Sequence, residues 1–147
     1  MEIQMIDKDR IAKAKTDIVR VFEQIDTLVI AGREVFLADP KSSLALKYLL
    51  IEAVEAIADV CQHLLAKTKG VACEGYVDCI VKTGEKGIIS IPLAGKLRLL
   101  ANLRNSLIHR YWTINDEQLY DMTYANKGDL IEFSSQIDSF LASLAKQ

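Results

Sequence analysis

Apolar and polar residues alternate along this chain with a helical period. Between Asp7 and Leu37, residues Ile11, Ile18, Val21, Ile25, Leu28, Gly32 and Val35 recur at intervals of threes, fours and sevens, with Lys and Asp on the other side. That spacing predicts one long amphipathic helix. Phe22, Val29 and Phe36 widen its stripe, so it is expected to pack against more than one neighbour. Asp39-Pro40 stops it and opens a second helix as N-cap and first-turn residue. This second helix is expected to run to about Lys69, with Leu46, Leu50, Ala53, Ile57, Val60 and Leu64 as its apolar stripe. A separate polar stripe carries Tyr48, Glu52, Glu55, Asp59 and His63.

Gly70 and Gly75 bracket a loop, Tyr76 to Thr83 reads as a short helix ending at Gly84, and Glu85-Lys86-Gly87 as a turn. Ser90-Ile91-Pro92 then opens a further long helix, with the proline in its first turn. Leu93, Leu97, Leu100, Leu103 and Leu107 are spaced by four, three, three and four, which lays them along one side facing a core. Asn115 or Asp116 caps a helix through Tyr124, Asn126-Lys127-Gly128 interrupts it, and Asp129 to Ala145 forms the last helix. Gly87 to Ile91 is apolar but too short to build a sheet. The expected fold is all-α, a helical bundle with additional short helices, and residues 1–147 form one domain.

Composition narrows the function classes. Half of the 147 residues are hydrophobic and 26% are charged, an ordinary globular balance. The net charge of −2 does not advertise nucleic-acid binding, so any RNA contact must be a local basic patch. Met1 to Arg10 shows no signal peptide, and no apolar run approaches a membrane span. A cytoplasmic protein is expected. Cys61, Cys73 and Cys79 form an odd set without CxxC or histidine spacing. They are expected to be reduced thiols, and neither a metal site nor a cofactor is expected.

The densest chemistry follows the leucine stripe. Arg104, Asn105, Ser106, His109, Arg110 and Tyr111 supply a fixed cation, an amide, a hydroxyl, an imidazole and a phenol within eight residues. Guanidinium pairs with phosphate or carboxylate, and histidine moves protons near neutral pH. A phosphodiester reaction needs both. The plainer reading is a polar C-terminal turn whose cations suit the helix dipole. On a straight helix Arg104 and His109 point roughly 140° apart, whereas Asn105 and His109 share a face. Either the helix loosens near His109, or a second chain completes the site. For the polar stripe of the second helix two readings also stand. Asp59 and His63 could pair and support Arg104 or His109, or the stripe is a solvated acidic face.

Arg104-Asn105-Ser106-Leu107-Ile108-His109-Arg110-Tyr111 fits the RxxxxHxY motif, with Asn after the Arg, and so resembles the HEPN superfamily. Ala53 to Leu64 is similar to the second-helix pattern of the HepT-type toxins, and Gly87-Ile88-Ile89 and Trp112 to Asp116 are similar to that family too. The resemblance covers roughly Leu44 to Leu144. It implies a HEPN-type up-and-down bundle, a homodimer with the two motifs at its interface, and a metal-independent endoribonuclease toxin. It also implies a partner, a minimal nucleotidyltransferase antitoxin that adenylylates the motif tyrosine, Tyr111. His109 would then be the acid/base group, Arg104 would stabilise phosphate, Asn105 would orient His109 or a phosphate oxygen, and Arg110 would add positive field. The alternatives are a noncatalytic helical adaptor for a nucleotidyltransferase, or a dimerisation module.

Overall fold

The computed structural model describes residues 5–110 and 114–146. Helix α1 (Lys8–Ile30) starts where the Asp7 side chain accepts from the Arg10 amide at 3.0 Å, satisfying one of the donors that every helix start leaves open. It buries Ile11, Ala14, Ile18, Val21, Ile25 and Val29. The unbroken helix expected from Asp7 to Leu37 is divided. Gly32 has φ +105, a conformation that side-chain-bearing residues rarely adopt, and the chain restarts as α2 (Arg33–Ala38). Periodicity ran through the break because α2 turns Phe36 into the same core as Val29. Tyr120 locks this corner. Its hydroxyl donates to the Val29 carbonyl at 3.0 Å, and its ring lies 5.2 Å from that of Phe36.

Asp39 caps α3 (Pro40–Leu64) through the Lys41 amide. The last turn widens into a π-helical segment (Leu65–Lys69) that Gly70, at φ +62, terminates. Helix α4 (Gly75–Glu85) follows, and then α5 (Ile91–His109), whose N-cap Ser90 accepts from the Leu93 amide. Gly84 explains how closely α4 and α5 approach. A Cβ there would lie 2.5 Å from the Ala94 Cβ, so only a bare backbone fits. Asn115 caps α6 (Asp116–Asn126), and α7 (Gly128–Ala145) closes the order. No strand occurs among the described residues. The fold is all-α, and one apolar cluster takes residues from every helix and from the π segment.

The cysteines differ from expectation. Cys73 and Cys79 form a disulfide, their Cα atoms 5.0 Å apart, and Cys61 alone is free. The pairing lacks a sequence signature because it depends on the backward turn at Gly75, φ +80, which lays the loop against α4. Burial pushes the Cys61 thiol up to about 12, which leaves it inert at neutral pH.

Candidate functional site

Helix α5 delivers the polar cluster. Leu93, Ala94, Leu97, Ala101 and Leu107 anchor it in the core, whereas Leu100 and Leu103 of the expected stripe are only half-buried beside the exposed Leu99. Between Lys96 and Arg110 the chain carries Lys96, Arg98, Arg104 and Arg110 and no acidic residue. This helix is therefore a locally basic segment on a protein of negative net charge, its cations spread around the axis and Lys96 lying 3.8 Å from Asp129.

Arg104 is the best-supported member. Its side chain is 15% exposed, and its NH2 lies 3.8 Å from Glu55 of α3. NH1 donates to the Asn105 side-chain oxygen at 3.2 Å. The guanidinium carbon stands 4.3 Å from the ring centre of Tyr76 on α4, a cation–π geometry. Its Nε is buried and has no hydrogen-bond partner among the described residues.

His109 is the last residue of α5 and is exposed. The helix does not loosen before it. The Arg110 amide, at the C-cap, still donates to the Ser106 carbonyl at 2.7 Å. Arg104 and His109 therefore keep the roughly 140° divergence of a regular helix. A single α5 does not bring them onto one atom. Asn105, next to Arg104 and one turn from His109, is half-buried and links the two directions. Tyr111 lies outside the described residues.

Asp59 and His63 are not brought to the α5 cluster. Helix α1, not α5, covers this stretch of α3. Arg10 Nε donates to both Asp59 oxygens at 3.2 and 3.1 Å, and the Asp7 amide donates to His63 Nε2 at 2.9 Å. Nε2 thus keeps its lone pair, and the proton of the neutral ring sits on Nδ1. Arg10 NH1, 3.4 Å from Nδ1, is then a contact rather than a hydrogen bond. Desolvation first, and then the charges of Arg10 and Lys67, hold the His63 imidazolium below its usual range. Glu52 pairs with Arg20 of α1 in the same manner. The carboxylate that reaches the cluster is Glu55, at the other edge of the stripe. Sequence reasoning missed Tyr76 altogether, because its contact depends on the α4–α5 packing that Gly84 permits. No group of three or more His, Cys, Asp or Glu converges on a common point among the described residues, and no helix there is long and apolar enough to cross a membrane.

A family model described as ribonuclease HepT-like matches residues 18–137. The chain belongs to the HepT-like ribonuclease family. Its fold is similar to that of a tri-AMPylated Shewanella oneidensis HEPN toxin in complex with an MNT antitoxin. The TM-score is 0.82 at 20% identity, covering 90% of this chain and 98% of that one. A toxin–antitoxin structure with AMP-PNP gives TM-score 0.81 at 20% identity, covering 88% and 98%. YutE from Bacillus subtilis, a cytosolic protein of unknown function, gives 0.76 at 20% identity, covering 95% and 94%. No curated protein matches the chain by sequence. At these identities the likeness speaks for the fold, and the family match carries the ribonuclease class.

Proposed function

We propose that this protein is the toxin of a toxin–antitoxin pair, an endoribonuclease that cleaves RNA without a metal ion at a site composed by two copies of the chain. The carrying observation is that α5 stays helical through His109 while Arg104 and His109 diverge on it. One chain presents a held cation and a free imidazole in different directions, and an isologous pair of α5 helices supplies both to one phosphate. In this reading a 2′-hydroxyl attacks the adjacent phosphorus. His109 takes its proton, the partner copy's imidazole protonates the leaving 5′-oxygen, and Arg104 stabilises the phosphorane oxygens. Asn105 fixes Arg104, and Arg110 adds positive field. The antitoxin would be a minimal nucleotidyltransferase that adenylylates Tyr111, adding bulk and negative charge beside the scissile phosphate. The S. oneidensis neighbour, AMPylated and bound to an MNT antitoxin, supports this part.

The test uses unmodified protein and labelled RNA in EDTA, with light scattering on the same sample. Cleavage by a dimer is expected. A strict monomer at micromolar concentration, or an inert dimer, would overturn the composite site. Incubation with ATP and a minimal nucleotidyltransferase antitoxin should add adenylate to wild type and not to Tyr111→Phe, read by intact mass. Equal labelling of both would move the modification elsewhere.

A further inference from the structure

Tyr76 sits midway between Cys73 and Cys79, and these two cysteines are joined. The loop they close therefore has at its centre the ring that faces Arg104 at 4.3 Å. The two halves of α4 are held differently. The C-terminal half is fixed by buried Cys79, Ile80 and Thr83 and by the Gly84–Ala94 approach. Tyr76 lies in the N-terminal half, where Glu74 and Gly75 are exposed. This end packs less deeply, with Val71, Cys73, Tyr76 and Val77 only partly buried against the core, and it is tied further by the sulfur bridge and by polar contacts at the surface. The Glu74 amide donates to Asp78 at 2.9 Å, and Lys82 donates to the Ala72 carbonyl at 3.1 Å.

We propose that Tyr76 is a positioning residue for Arg104 and that the Cys73–Cys79 bridge braces it, so that reduction of the bridge loosens the cation from its catalytic setting. The inference rests on the ribonuclease reading only for its activity readout. The brace itself is a statement about Tyr76 and Arg104. The ring offers the guanidinium a flat, low-dielectric face that fixes its plane without using its N–H groups. NH1 is held by Asn105, and NH2, with Glu55 no nearer than 3.8 Å, is left to meet a phosphate oxygen. Preorganisation of this kind raises turnover more than binding, since the cation is aimed where charge develops.

The switching step needs a dithiol reductant. A thiolate attacks the Cys73 sulfur, which is partly exposed, while Cys79 is buried. The S–S bond breaks, and Cys79 leaves and takes a proton. The second thiol of the reductant then displaces Cys73, which leaves as a thiol, and the reductant ends as a disulfide. Two electrons and two protons reach the protein, and no backbone bond changes.

The experiment follows the Arg104 Nε–H signal in protein labelled with ¹⁵N-arginine, assigned by its disappearance in Arg104→Lys. In oxidised wild type the Tyr76 ring current should displace it. Tyr76→Leu should abolish the displacement, Tyr76→Phe should keep it, and reduction with dithiothreitol or Cys73→Ser should move the signal towards its Tyr76→Leu position. In RNA cleavage, Tyr76→Leu and reduction should lower kcat by about three- to thirty-fold, the range a cation–π contact represents. KM should change little, and Tyr76→Phe should restore the rate. An Arg104 signal identical in oxidised and reduced protein would overturn the brace, and one unmoved in Tyr76→Leu would overturn the platform. If wild type cleaves nothing, the ribonuclease reading falls, while the arginine signal still decides the brace.

Discussion

The two polar clusters of this molecule use the same residue types to opposite ends. Where α1 crosses α3, Arg10, Asp59, His63 and the Asp7 amide satisfy one another, and Arg20 does the same with Glu52. On α5 Arg104 is held by Asn105 and the Tyr76 ring, with Glu55 only as near as 3.8 Å, and the His109 imidazole is exposed. Satisfied charges tie helices together. Charges held loosely and near the surface leave room for a ligand, and such clusters are candidate functional sites. His63 and His109 make the contrast within one residue type, since one is buried and locked as an acceptor and the other is exposed at a helix end.

The largest effect expected from this contrast is on catalysis. His109→Ala should lower RNA cleavage in EDTA by about a hundred- to ten-thousand-fold, the usual worth of acid/base catalysis, with circular dichroism and melting unchanged. Arg104→Lys should rescue poorly, because an ammonium lacks the guanidinium fork. Wild-type cleavage by folded His109→Ala would remove His109 from the mechanism and make the α5 cluster a second structural one.

Packing comes next. Gly84→Ala should destabilise the protein by about 1–3 kcal/mol, as overpacking does. Alanine is the better helix former by about 0.5–1 kcal/mol, but a 2.5 Å approach to Ala94 outweighs that gain. Denaturant midpoints read the difference, and a more stable variant would show that α4 and α5 part without cost. Loss of the close approach should also shift Tyr76 away from Arg104, joining the packing of one region to the chemistry of the other.

Much of this arrangement was legible in the chain. The leucine spacing, Pro92, Ser90 and Asn115 placed α5 and its neighbours to within a residue or two, because caps and periodicity are local properties. Arg104, Asn105 and His109 were singled out as candidates through their chemistry and through a family resemblance. What escaped was non-local. Gly32 breaks the first helix although the apolar stripe continues across it, since α2 reuses the same core. Asp59 and His63 lie on the same stripe as Glu55, and only the placement of α1 decides which carboxylate meets which arginine. The Cys73–Cys79 pair and the Tyr76–Arg104 contact both require a loop path that no periodicity encodes.

A smaller effect concerns pH. Burial lowers the folded-state pKa of His63 below the usual 6.5, so between that lowered value and 6.5 the unfolded chain binds more protons than the folded one. Stability from this group is therefore complete above about 6.5 and declines as pH falls through the window. Protonation would turn Nε2 into a donor facing the Asp7 amide. Urea midpoints across this range should fall for wild type and stay flatter for His63→Gln, whose amide oxygen still accepts. Asp129, whose carboxyl is raised by burial, works in the opposite sense nearer its own range, so the comparison is made above about pH 5. Equal slopes for the two proteins would show that His63 does not titrate with folding.

The smallest effect separates two carboxylates one turn apart on α3. Asp59 meets Arg10 with both side chains about two-fifths exposed, at 39% and 41%, and such a pair contributes at most about 1 kcal/mol. Asp59→Asn should cost no more than that and leave cleavage untouched. Glu55 is 51% exposed and 3.8 Å from Arg104, too loose a pair to hold the fold, yet its charge competes with phosphate for the same cation. Glu55→Gln should therefore leave the melting temperature in place and lower KM for RNA by about two- to five-fold, the equivalent of a weak ion pair removed from the free enzyme. Steady-state kinetics on the two variants, at matched folded concentration, read the difference. If Asp59→Asn changes KM while Glu55→Gln changes only stability, the two clusters have been assigned the wrong way round.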